Sequence, residues 1–152
     1  MPFDHPDAQL LVAEVQQEYV RRYGGPDETP LDAAYFEPPA GSFFVGYLGA
    51  EPVATGAWRR RDDVEALGSR TTAEVKRMYV RPAARGRGLA RRVLAHLEAT
   101  ARAAGAEVMV LETGTMQPEA LALYASSGYV AVPAFGHYAD APLSRHLGRR
   151  LT

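Results

Sequence analysis

A β-like run at residues 75–80 is followed at once by Arg81-Pro82-Ala83-Ala84-Arg85-Gly86-Arg87-Gly88, and then by a long segment opening at Leu89. Leu89, Val93, Leu94, Leu97, Ala101 and Ala104 recur along that segment with helical spacing, and Gly105 stands where the helix would end. A strand that runs through glycines straight into an amphipathic helix limits the chain to folds that pack helices on a sheet. It also gathers backbone N–H groups at a helix N-terminus, where the helix dipole favours negative charge. Gly86 and Gly88 accept left-handed torsions and carry no side chain to block a ligand. The turn is a seat for a phosphate or pyrophosphate.

The flanking segments fill in the domain. Leu11, Val15 and Tyr19, with Ala8, Val12 and Tyr23, line one face of a helix that starts near Pro6 and stops at Gly24-Gly25-Pro26. Residues 26–41 hold four prolines and read as loop, with a short helix within 31–36. Residues 42–48 and 52–59 read as two strands of a hairpin around Gly49-Ala50-Glu51. The polar stretch 60–72 reads as a mobile connection to a strand at 74–80. After the long helix, 107–113 suits a buried strand, 118–127 a second helix closed by Gly128, and 129–132 a strand. Leu143, Leu147 and Leu151 fit either a helix face or one side of a strand.

Composition narrows the function. The 152 residues make one domain, 1–152, large enough for a core without metal or disulfide support. A net charge of −1 argues against a nucleic-acid partner. The absence of cysteine removes disulfides, thiolate zinc sites and a cysteine nucleophile together. His5, His96, His137 and His146 show no metal-ligand spacing, so no metal is expected. No apolar run suits a membrane span and no signal pattern opens the chain, so the expected location is cytoplasmic.

Three phosphate-binding patterns compete for the turn. Gly86-Arg87-Gly88-Leu89-Ala90-Arg91 lacks the third small residue of a dinucleotide fold, and no lysine follows as a P-loop requires. What is present is Arg-x-x-Gly-x-Ala, from Arg85 through Gly88 to Ala90. With Leu123-Tyr124 and Gly128-Tyr129 following in order, the chain resembles the GNAT family of N-acetyltransferases, closely over residues 42–132 and loosely at both ends. The resemblance implies an α/β (α+β) fold: a mixed, mostly antiparallel sheet of about six strands with helices on both faces. The strand with which the family usually begins is expected to be absent or replaced here.

The resemblance further implies acetyl-CoA as co-substrate. Its pyrophosphate would lie on the N–H groups of Arg85, Gly86, Arg87, Gly88, Leu89 and Ala90, with charge from Arg85, Arg87 and Arg91. Its pantetheine arm would pair with Met78, Tyr79 and Val80, and Gln117 would take the place of an asparagine found in many relatives. An attacking amine must lose a proton. Glu74 resembles the catalytic base of some members; it shares a strand face with Lys76 and Met78, an ion pair being its structural alternative. Glu112 is the second carboxylate, as base or as amine binder, and Tyr124 resembles the tyrosine that protonates the departing thiolate. Without cysteine, direct attack in a ternary complex is the expected mechanism.

Candidate acceptor walls are Trp58, Tyr47, Tyr35, Phe36, His137 and Tyr138. Together with Glu74 and Glu112 they would suit a small cationic amine. The acceptor itself, a small molecule or a peptide amine, stays open, as does a homodimer. Two other classes stand beside the enzyme: a non-catalytic acyl-CoA-binding regulatory module, and a nucleotide-binding interaction protein.

Overall fold

The computed structural model describes residues 2–23, 33–115, 117–136, 139 and 143–151. Its elements run α1 (Pro6–Tyr23), β1 (Gly41–Leu48), β2 (Glu51–Arg60), β3 (Thr72–Val80), α2 (Leu89–Ala103), β4 (Val108–Gly114), α3 (Pro118–Ser126), β5 (Val130–Ala131) and β6 (Ser144–Arg150). The strands form one six-stranded sheet in the order β1-β2-β3-β4-β6-β5, and β3 beside β4 is the parallel pair in it. The mixed, mostly antiparallel sheet expected above is present, and no strand precedes α1 among the described residues.

Helices cover both faces. Successive strand residues point to opposite sides of a sheet, and Ala57 and Trp58 show which helix takes which side. Ala57 packs with Ala8, Phe36 and Phe43 under α1, whereas Trp58 joins Leu94, Leu97 and Ala101 of α2. Leu94 and Leu97 are fully buried, each worth about 1.5–3 kcal/mol of apolar burial. Gly56 lets α2 come close: a Cβ there would stand 2.5 Å from Val93 Cγ1.

The β2–β3 register slips between Thr55 and Ala57, so that Arg77 and Met78 together span Gly56. Such a bulge shifts the alternation by one residue. Glu74 and Lys76 face α1, and so does Tyr79, which packs on Leu11 and Val15. Met78 packs instead with Val75 against α2. This corrects the expectation that Met78 shares a face with Glu74.

Two further expectations change. Residues 61–71 are a packed loop rather than a mobile connection: Val64 and Ala66 are buried on Val108 and Val110, and the Thr72 hydroxyl donates to the carbonyls of Arg61 and Val64. The ambiguous tail is a strand, because β6 pairs along the whole of β4 from Val108–Arg150 to Gly114–Ser144. The expected stop at 24–26 and part of the short helix at 31–36 lie outside the described residues; a single 3-10 turn, Ala33–Phe36, is seen.

Candidate active site

The parallel pairing of β3 and β4 runs from Thr72–Val108 to Glu74–Val110 and goes no further, although both strands continue. Beyond that point they part, and the sheet is split at its centre. A cleft of about 460 Å3 occupies the split, bordered by the second halves of both strands, α1, the start of α2 and the start of α3.

The glycine turn forms one end of the cleft. Gly86 and Gly88 have φ of 83° and 74°, the left-handed region that glycine tolerates, and Gly88 is the N-cap of α2. A Cβ at either would meet nothing within 4 Å, so the space beside the turn is open, and both glycines border the cleft. Arg85 is held in place: its Nε donates to the Val80 carbonyl (2.9 Å), its Nη2 to Glu18 Oε1 (2.9 Å), and its guanidinium lies 5.9 Å from the Tyr79 ring. Among the described residues Nη1 makes no hydrogen bond. Met78, Tyr79, Val80, Leu89, Ala90 and Gln117 also border the cleft. Arg91 does too, its guanidinium donating to Ser126 and Ser127 at the end of α3, whereas Arg87 is exposed and does not line it.

At the split stand Tyr124 and Glu112. Tyr124 is buried on α3, edge-on to Tyr129, and its hydroxyl makes no hydrogen bond among the described residues. Burial first, and then the charge of Glu112, push its ionisation well above the usual tyrosine range, so the phenol keeps its proton at all physiological pH values. That fits a proton donor. Glu112 borders the cleft from β4, on the same face as Val110 and its cross-strand neighbour His146.

Glu74 is elsewhere. Its carboxylate accepts from Arg61 Nη1 (2.7 Å) and Arg59 Nε (3.3 Å) and pairs with Lys76 Nζ (3.2 Å), with 3% of the side chain exposed. It does not line the cleft. Three cations on one buried carboxylate describe an anchor for β2, β3 and the 61–71 loop.

The aromatic walls differ from those expected as well. Trp58 is a core residue whose indole donates to Thr100 Oγ1 (2.9 Å). Tyr47 donates to Asp7 (2.6 Å), Tyr35 carries the Arg59 guanidinium, and Phe36 packs under α1. His137 and Tyr138 lie outside the described residues. The wall opposite the split comes instead from α1, through Val15, Glu18, Tyr19 and Arg22. Sequence reading placed these residues on an amphipathic helix but gave no sign of where it docks. The docking contacts show it: Glu14 accepts Arg81 through both oxygens and the Tyr79 hydroxyl, and Arg22 bridges Glu18 and Glu119, so the middle of α1 is tied to the end of β3 and its last turn to α3. Among the described residues no cluster of His, Asp and Glu could hold a metal ion, and no helix is long and apolar enough to cross a membrane.

The family model for GNAT acetyltransferases matches residues 12–129, from the first helix through Tyr129. The chain belongs to the GNAT acetyltransferase family. An IAA acetyltransferase of Azospirillum brasilense is 45% identical over 78 residues, a segment that spans 51% of this chain and about half of that protein. A solved structure from Klebsiella pneumoniae, assigned as an acyl-CoA N-acyltransferase, is 29% identical and superposes with a TM-score of 0.78 over 100% of this chain and 94% of its own. The PaiA N-acetyltransferase of Thermoplasma acidophilum, solved with coenzyme A, shares the fold at 11% identity, with a TM-score of 0.59 over 73% of this chain and 61% of its own.

Proposed function

We propose that this GNAT protein transfers an acetyl group from acetyl-CoA to a primary amine by direct attack in a ternary complex. The observation that carries the reading is the split itself: an anion seat at one end and, at the point where β3 and β4 part, a protonated phenol near a carboxylate.

The residues divide the work. The N–H groups of the turn 85–90 and Arg85 Nη1 bind the pyrophosphate. The second half of β3, free of β4, offers the backbone of Met78, Tyr79 and Val80 to the pantetheine amides. Gln117, at the N-cap of α3 and on the cleft wall, offers its side-chain amide to the thioester arm. The amine nitrogen attacks the thioester carbonyl, the C–S bond breaks and an amide forms. The amine's surplus proton passes to Glu112, directly or through water, and the thiolate takes its proton from Tyr124. Glu112 stands in the role of base because it borders the cleft and Glu74 does not. With no cysteine in the chain, no acyl-thiol enzyme intervenes.

The test is a thiol-release assay with acetyl-CoA and a panel of amines, beside calorimetric titration of CoA. The expected result is micromolar CoA binding, turnover on at least one amine, and a kcat about 100-fold lower in Tyr124→Phe with CoA affinity unchanged. Failure to bind CoA would overturn the donor assignment. CoA binding without turnover on any amine would favour the regulatory module.

A further inference from the structure

Continuing the β3–β4 register past Glu74–Val110 brings Lys76 opposite Glu112, two residues on and on the same face of the sheet as Glu74 and Val110. Both border the cleft where the strands part. The floor of the split on the α1 side therefore carries a cation on one strand and a carboxylate on the other.

The cation is not cancelled by its neighbour. Glu74 is shared among Lys76, Arg59 and Arg61, and Asp63 takes part of Arg61 from the solvent side. Glu74 and Asp63 together cannot balance all three cations, and the third carboxylate, Glu112, stands across the split. Of the three, Lys76 is the member that lines the cleft. Its side chain is 12% exposed, so this charge acts where water screens it poorly. An ammonium has three protons to donate, and its ion pair with Glu74 occupies one side of it.

Above this floor the wall is Val15 and Tyr19 of α1 with Tyr79 of β3, an apolar and aromatic surface for an organic side chain flanked by the paired Glu18 and Arg22. A purely cationic amine, the class suggested by two carboxylates, would meet Lys76 with a like charge.

Resting on the acetyl-transfer reading above, we propose that the acceptor is a zwitterionic amine of the α-amino-acid kind. Lys76 binds its carboxylate, Glu112 faces its amino group, and its side chain lies among Val15, Tyr19 and Tyr79. The amine is thereby aimed at the split, where Tyr124 and the thioester meet it from the α3 side. Lys76 acts on specificity, and its removal weakens binding of the acceptor without slowing the transfer itself.

The experiment compares α-amino acids with their decarboxylated amines and methyl esters, matched in side chain, by thiol release. Wild type, Lys76→Gln and Lys76→Arg are assayed, with thermal melting to confirm folding. The expected result is turnover of free amino acids, with aliphatic and aromatic side chains favoured, and kcat/KM at least 10-fold lower for esters and decarboxylated amines. Lys76→Gln raises KM for the amino acid about 10- to 100-fold, lowers KM for the decarboxylated amine because the like charge is gone, and is partly rescued by Lys76→Arg. Should Lys76→Gln fail to fold, the ester comparison in wild type and the Lys76→Arg values decide. Equal or better turnover of decarboxylated amines overturns the inference and leaves acetyl transfer standing. CoA binding with no turnover on any amine overturns both.

Discussion

Glu74→Gln separates an anchor from a base. The wild-type carboxylate is 3% exposed and meets Arg61, Lys76 and Arg59 at 2.7, 3.2 and 3.3 Å. Removing one partner of a buried ion pair costs about 3–5 kcal/mol, because the remaining charge stays buried without compensation. Here Asp63 still neutralises part of Arg61, and Arg59 and Lys76 keep some solvent contact, which places the cost at the lower end, about 3 kcal/mol. In a domain of this size each kcal/mol lowers Tm by about 2–4 °C, so the drop should be about 6–12 °C. Tm is read by circular dichroism. Acetyl transfer is measured at a temperature at least 15 °C below the variant's own transition. There kcat should stay within about threefold of wild type and the pH–rate profile should keep its acid limb, whereas Glu112→Gln should lose about 100-fold in kcat. A Glu74→Gln protein with unchanged Tm and a kcat reduced by two orders of magnitude would refute the assignment, since it would mean that Glu74 reaches the reacting amine.

Gly88→Ala places a Cβ in a left-handed residue with open space around it, so its folding cost is torsional, about 1 kcal/mol; KM for acetyl-CoA should rise at least 10-fold because the methyl stands in the anion seat, and an unchanged KM would place the pyrophosphate elsewhere. Glu18→Gln removes the carboxylate that competes with phosphate for Arg85 Nη2, and calorimetry should show CoA binding tightened a few-fold, most clearly at low salt. The hydrogen bond from Arg81 holds the Glu14 carboxyl below its ordinary range, so the pair stabilises the fold fully above about pH 4.3 and is lost as pH falls through the lowered value. Urea midpoints of wild type and Glu14→Gln should therefore differ at pH 6 and converge towards pH 3.

Local patterns made much of the fold readable. The helical spacing in α1 and α2, the hairpin glycine at 49 and the strand–glycine–helix order around Gly88 each depend on residues close in sequence, so the glycine-turn end of the cleft was readable along the chain. Glu74 and Trp58 were legible as chemistry-bearing residues but not in their surroundings. A carboxylate on a strand looks the same whether it faces a substrate or Arg61, and the arginine that binds it here comes from the neighbouring strand's end, thirteen residues away. The Gly56 bulge reversed the alternation that placed Met78 beside Glu74, and no local signal announces which strand of a pair will carry the extra residue. The tail was ambiguous for a similar reason: the spacing of Leu143, Leu147 and Leu151 suits two periods, and pairing with β4 chose between them.

By itself the sequence determined the glycine seat, because a left-handed turn before a helix is fixed by which residues can adopt it. It determined the family, because the order of elements around that seat is written along the chain. Tertiary structure alone decided the rest of the cleft. Where β3 and β4 part, which face Lys76 and Glu112 share, and that α1 rather than the hairpin aromatics closes the cleft all follow from pairing between distant segments. Such contacts depend on the packing of the whole sheet, and no stretch of the chain contains that information by itself.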